Sequence, residues 1–385
     1  MYLNKPILLS PGPTPVPDLI NHYLTLPMIG HRTKAFQKVL HDVSYGLAPI
    51  FGTDQPVVIL AGSGTSALEA AMINVVEQDD HIVVIVSGAF GNRFKKIAEA
   101  YHYHVHVFEV EWGKAVNMDE FKSFYSTLKV PIKAVFTQLC ETSTAVIHPI
   151  HSIGHYIKSI NTKSLFIVDG VSIVGAYDMD MKRDNIDILV AGSQKALMLP
   201  PGMGFVAYTK ESKKAISESL SSKFYLNLAV YIEQLEKDTT PYTPPIGLIQ
   251  SIRGLLEIIE TESFDNTVKR HYACRDGLRA ALRALEIPLF VEDADASPTV
   301  TAIVPHSDEI EIIKSRLLNE FNITIAGGQA HLKGKILRIG HMGYVTPFEM
   351  LNIISALEII LSDIRGKTYL GKGLTAFQEV IACIK

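Results

Sequence analysis

Asp187-Ile188-Leu189-Val190-Ala191-Gly192-Ser193-Gln194-Lys195 is a β-type apolar stretch that stops on a polar Ser-Gln-Lys. A second stretch, Ser164-Leu165-Phe166-Ile167-Val168, stops in the same way on Asp169. Continuous apolar runs bounded by polar residues read as strands buried on both faces. An amine and a carboxylate at the mouths of two such strands are costly to desolvate unless something there uses them.

Working outward, strand candidates at 57–60, 82–86, 105–109, 132–137, 165–168, 186–190 and 204–208 alternate with helix-period stretches such as 65–76 and 92–101. This alternation predicts an α/β fold, with a mainly parallel seven-stranded sheet covered on both faces. Such sheets bind ligands beyond the carboxyl ends of their strands. Here those ends read Ser63-Gly64-Thr65, Ser87-Gly88-Ala89-Phe90, Glu141-Thr142-Ser143-Thr144, Asp169 and Lys195, so the polar chemistry gathers on one edge. After Tyr208 the pattern turns helical, with a Pro-rich break at Thr239-Thr240-Pro241-Tyr242-Thr243-Pro244-Pro245 and a long helical stretch over 246–284 interrupted near 262–265. A smaller αβ unit follows: strand 299–304, helix 307–319, strands 323–326 and 335–339, and helix 347–362. Three units are expected: an N-terminal arm over 1–24, a large domain over 25–257 and a small C-terminal domain over 258–385. The arm contains Ser10-Pro11-Gly12-Pro13-Thr14-Pro15-Val16-Pro17, which is extended because it cannot be a helix interior.

The 385 residues suffice for a large core and two domains. Hydrophobic residues at 47% and charged residues at 20% suit a soluble globular protein. A formal net charge of -4 provides no basic footprint for nucleic acid. No secretory signal or membrane-spanning run is expected. The three cysteines, Cys140, Cys274 and Cys383, are far apart and form no CxxC. That predicts a reducing cytoplasm and no disulfide framework or metal site.

Ala61-Gly62-Ser63-Gly64-Thr65-Ser66-Ala67-Leu68-Glu69 ends a strand and opens a helix with hydroxyl residues. Exposed N–H groups at a helix start plus hydroxyl donors make an anion site, naturally a phosphate. The run also reads as a glycine turn with a Ser/Thr cap, and it lacks the P-loop lysine and the GxGxxG spacing. Asp169 alone reads as a cap after a strand, and Lys195 alone as a solvated loop lysine. Together, with the phosphate cradle upstream, they fit pyridoxal 5'-phosphate (PLP). The lysine forms the Schiff base and the carboxylate keeps the pyridine nitrogen protonated. Phe90 is either core packing or a ring stacked on the cofactor. Thr142 either satisfies local backbone or donates to the phenolic oxygen. Arg338, in the otherwise apolar Lys335-Ile336-Leu337-Arg338-Ile339-Gly340, is either an edge-strand surface residue or a bidentate clamp on a substrate carboxylate.

In order and spacing, seven motifs resemble those of the class V, fold-type I PLP-dependent aminotransferases, in the alanine–glyoxylate and serine–pyruvate group. They are Leu9-Ser10-Pro11-Gly12-Pro13-Thr14, Gly30-His31-Arg32-Thr33, Gly62-Ser63-Gly64-Thr65, Glu141-Thr142-Ser143-Thr144, Val168-Asp169, Gly192-Ser193-Gln194-Lys195 and Leu337-Arg338-Ile339-Gly340-His341-Met342-Gly343. The resemblance implies Lys195 as the Schiff-base lysine and Asp169 as the pyridine partner. It implies Ser63, Gly64, Thr65 and Gln194 at the phosphate, Phe90 on the ring and Thr142 near the phenolic oxygen. Arg338 and Gly12 would bind substrate. Thr243 would reach the phosphate of a neighbouring subunit, which makes a homodimer the working unit. Four positions depart from the family pattern. Phe90 stands where several relatives have tryptophan, Cys140 where a small or amide residue is common, and Ala145 and Ala330 where glycine is usual.

The reaction this implies is transfer of an amino group from alanine or serine to glyoxylate or pyruvate with ping-pong kinetics. The partners are a small amino acid and a 2-keto acid, with no nucleic acid and no membrane. A cysteine desulfurase or other PLP lyase needs a thiol on a loop before the small-domain strand, and no cysteine lies between Cys274 and Cys383. A 2-aminoethylphosphonate transaminase would share the fold and the cofactor, as would a PLP-binding protein without turnover. The lysine, aspartate and arginine set argues against a protein without turnover.

Overall fold

The computed structural model describes residues 5–383 of the chain. Seven strands form one sheet: β1 (Val58–Ala61), β2 (His81–Val86), β3 (His104–Glu109), β4 (Ile132–Gln138), β5 (Leu165–Asp169), β6 (Ile188–Gly192) and β7 (Met203–Tyr208). Their order is β1-β7-β6-β5-β4-β2-β3. Strands β5, β6 and β7 are buried along their whole length, as their continuous apolar runs predict. Strand β7 runs antiparallel to both β1 and β6, whereas the other pairings are parallel. The cause is the short 193–202 segment between β6 and β7, which contains no crossover helix. A parallel return needs about a dozen residues or more, so the chain turns straight back. Strands β1 to β6 therefore all present their carboxyl ends on one edge, and the β6–β7 turn carries Lys195 there.

The helical stretch after the Pro-rich break divides at Ser263, with helices Ile246–Glu262 and Phe264–Ala284 on either side. The Ser263 backbone is left-handed (φ +66°) and its hydroxyl accepts from Asn266 N. A small antiparallel sheet follows, from β8 (Val300–Ile303), β9 (Ala326–Gly327) and β10 (Leu337–Gly340), in the order β8-β10-β9. The single strand expected over 323–326 is in fact two short pieces. Ile323–Thr324 pairs in parallel with Ile7–Leu8 of the arm, and β9 pairs with β10. Each piece is taken by a different partner, which splits the run at Ile325.

Past Ile7–Leu8, Leu9 N donates to Thr324 O and Gly340 N donates to Leu9 O. The arm also contains the short helix Asp18–Leu24, and its residues 1–4 lie outside the described residues. One apolar core lies around the large sheet, and a second joins Leu9 with Leu278, Ile313, Leu337, Ile353 and Phe377. The last helix, Lys372–Cys383, sets Phe377 against Gly277 of helix Phe264–Ala284 in the same chain. No helix among the described residues is long and apolar enough to cross a membrane.

Candidate active site

Lys195 lies at the carboxyl edge of β6. Its Nζ donates to the Pro11 carbonyl, and its backbone oxygen accepts from Thr14 Oγ1 at 3.1 Å. Its alkyl chain lies against Gly12, where a Cβ would come within 2.5 Å of Nζ. Gly12 is also left-handed (φ +91°), so glycine is required there for both space and conformation. Burial, with the Arg338 guanidinium adding to it, pulls the Lys195 pKa down to about 8, and Asp169 acts in the opposite direction. The lysine is thus partly neutral near physiological pH.

Asp169 ends β5 and pairs in register with Val190 of β6, which places it beside the Lys195 turn. It is buried, and its Oδ1 accepts from Val171 N at 2.8 Å. Burial and the Glu141 charge push its pKa up to about 7, against Arg93 and Lys195. A cationic ring nitrogen is the partner that would hold this carboxylate ionised.

Helix Gly64–Ile73 opens on the same edge. Ser63 is its N-cap residue, and its side chain makes no cap bond. Gly64 packs against Val171 and within van der Waals reach of Gly192, two residues before Gln194. Gln194 Oε1 is buried without a hydrogen-bond partner. An open helix start and a free hydroxyl therefore converge beside Lys195 and fit the phosphate of PLP, to which Gln194 would add its amide N–H groups, Oε1 being an acceptor. Thr65 Oγ1 already accepts from Arg93 Nη1 at 3.2 Å. Arg93 also lies over the Phe90 ring, 4.8 Å from its centroid.

Thr142 is buried, and its hydroxyl donates to Ser172 Oγ at 2.7 Å. Its carbonyl accepts from Arg338 Nη1 at 3.0 Å, while Arg338 Nε donates to Gly327 O at 3.0 Å. Arg338 is therefore an interior residue of β10 rather than a surface one, and burial lowers its pKa. Cys140 is buried as well, with Sγ donating to Ser297 Oγ and its pKa raised by burial.

Lys195, Asp169, Ser63, Gly64, Thr65, Gln194, Phe90, Thr142, Arg338 and Gly12 thus gather at one edge. Thr243 does not join them: it is exposed, on the loop before helix Ile246–Glu262. Arg93, Ser172 and the Pro11 carbonyl are further members that sequence reasoning did not select. Only Arg93 had a local signal, since it follows Phe90 by three positions and so shares its helix face. Among the described residues, no group of three or more His, Cys, Asp or Glu converges to hold a metal ion.

The family model described as aminotransferase class-V matches residues 12–346. The chain is 36% identical over 381 residues to the small subunit of a soluble hydrogenase of Synechococcus sp., covering 98% of this chain and 99% of that one. It is 30% identical over 383 residues to an L-aspartate–glyoxylate aminotransferase of Paracoccus denitrificans, covering 98% and 96%. Among solved structures, an alanine–glyoxylate aminotransferase from Nostoc sp. superimposes with a TM-score of 0.88 at 26% identity, covering 94% of this chain and 96% of that one. A half-buried lysine and a buried aspartate on adjoining strand ends, a phosphate-fitting helix start and a match across most of the chain agree. The chain belongs to the aminotransferase class-V family and is a PLP-dependent transaminase of fold type I.

Proposed function

We propose that the chain moves the amino group of alanine or serine to glyoxylate or pyruvate in two half-reactions at the Lys195 site. Arg338 carries this reading. Its guanidinium is 5% exposed and bonded to two carbonyl oxygens, and it forms no ion pair among the described residues. A buried guanidinium without a direct ion-pair partner is costly, and a carboxylate matches its fork. Amino acids and 2-keto acids both bring that carboxylate, so one arginine serves both half-reactions. Glyoxylate as acceptor is supported by the names of the Paracoccus and Nostoc relatives, which differ in donor and share it. The hydrogenase name stays with the Synechococcus relative, because the reactive groups here are an amine, a carboxylate and a guanidinium.

Ser63, Gly64, Thr65 and Gln194 would hold the phosphate, with Phe90 against the ring and Thr142 toward the phenolic oxygen. PLP, when bound, supplies an electron sink for the charge left as a proton departs the α-carbon. Asp169 holds the proton at the pyridine nitrogen. Lys195 Nζ, with its basicity reduced, takes the α-proton and returns it. Gly12 keeps the space that this amine needs. Thr243, exposed in one chain, would complete the phosphate site of a second copy in a homodimer. An arm over 1–24, a large domain over 25–257 and a small domain over 258–385 are the units, supported by the two apolar cores. A cytoplasmic location is supported by three free thiols.

A matrix of amino donors against glyoxylate, pyruvate and other 2-keto acids on purified protein tests the substrate reading. Turnover of alanine or serine with glyoxylate or pyruvate is expected. Turnover confined to 2-aminoethylphosphonate, or sulfide release from cysteine, would contradict it.

A further inference from the structure

We infer that Glu141 is a positioning residue of the cofactor site: its buried, ionised carboxylate fixes the backbone of Phe90 and adds a second negative charge near Asp169. The inference rests on the PLP reading of the site.

Glu141 is fully buried. Its Oε2 accepts from Phe90 N at 3.1 Å and Gly91 N at 2.9 Å. Its Oε1 accepts from Ser143 N at 3.1 Å and from Ser143 Oγ. Ser143 Oγ in turn accepts from Ala89 N at 3.0 Å, so its own proton points to Glu141. Backbone N–H groups can only donate, whereas the Ser143 hydroxyl can turn to donate or accept. Three such N–H groups, from Phe90, Gly91 and Ser143, converge on its two oxygens and favour the ionised carboxylate, against the burial that pushes its pKa up.

The amides of Ala89, Phe90 and Gly91 are the first turn of helix Ala89–Ala100, whose own N-cap, Gly88, has no side chain to satisfy them. Glu141 and Ser143 cap that helix from a distant segment, and an anion at a helix N-terminus is favoured. Gly88 supplies independent support. Its φ of 176° is extended backbone open to any residue, so conformation does not require glycine. A Cβ there would collide with the Glu141 carboxylate and come within 2.5 Å of Ser143 Oγ. The glycine makes room for the carboxylate. Phe90 is thus held at its backbone by Glu141 and at its ring by Arg93, which also grips Thr65. The charge reaches further, since Glu141 raises the pKa of both Asp169 and Arg338.

The test titrates the absorption band of bound PLP against pH and measures PLP affinity, in wild type and in the Glu141→Gln, Gly88→Ala and Ser143→Ala variants. Removing the charge in Glu141→Gln should lower the pH midpoint of the band by about one unit. It should also weaken PLP binding about tenfold. Gly88→Ala, which displaces the carboxylate but keeps its charge, should weaken PLP binding with the fold retained. Ser143→Ala should lower stability and leave the midpoint in place. A wild-type midpoint in Glu141→Gln together with wild-type affinity in Gly88→Ala overturns the inference. If Glu141→Gln does not fold, unchanged affinity in Gly88→Ala alone overturns it. A wild-type protein without any PLP band removes the cofactor reading itself, which separates the two failures.

Discussion

Lys195, Asp169 and Arg338 were legible because each interrupts or ends an apolar run, where a charge has a desolvation cost that its local sequence does not offset. The structure brings all three to the same edge, and that anomaly is what the site consists of. Arg338 is the most exposed to test. Arg338→Ala should reduce kcat/KM for amino acids and keto acids by about 2–5 kcal/mol. Arg338→Lys should restore only part, since an ammonium lacks the bidentate fork. Steady-state kinetics on both substrates checks this, and an unchanged kcat/KM would remove Arg338 from the site. The Pro11 carbonyl and Ser172 were not legible, because they meet Lys195 and Thr142 only through tertiary contact. Glu141 was visible within its motif, but its four donors come from 90–91 and 143, and no one-dimensional pattern displays them.

All seven strands of the large sheet were readable to within two residues, since strands buried on both faces leave long β-branched runs. The direction of β7 was not read from its composition. It follows from the length of the 193–202 connection, a topological constraint rather than a propensity. The arm's pairing with Ile323–Thr324 was hidden for a related reason, as two-residue strands carry no periodicity. That pairing matters for the site. Leu9 is buried in the second core, and the chain passes from it directly to the Pro11 carbonyl and Gly12 over Lys195. Leu9→Ala should therefore cost about 2–5 kcal/mol in chemical denaturation, as buried leucine truncations do. It should also lower turnover by loosening the cover on Lys195. A stable variant with full activity would show that the arm only decorates the fold.

Across the whole molecule, three fully buried histidines link segments far apart in sequence. His148 joins Ser87 to Val116, His341 ties its own segment to Pro298 and Thr301, and His271 joins Thr267 to Gly343. In His271, Nδ1 donates to Thr267 O and Nε2 accepts from Gly343 N, so the ring is neutral and fully bonded. Burial lowers its pKa to about 3, while the unfolded chain protonates it near 6.5. The folded-state pKa is depressed, so His271 lowers stability as pH falls below the unfolded value. Between pH 7 and 5 wild type should lose about 2 kcal/mol relative to His271→Gln, which cannot take up the proton. Denaturation curves of the pair at both pH values check the sign, and a pH-independent difference would contradict it. Both cores, the arm and the turn after β6 meet at one amine, and the chemistry of the site depends on it. Borohydride reduction of the purified, PLP-loaded protein, followed by peptide mass mapping, tests that dependence. The cofactor should be found covalently on Lys195 and absent in Lys195→Ala; a label on another lysine, or none on the wild type, would contradict the Schiff-base role of Lys195.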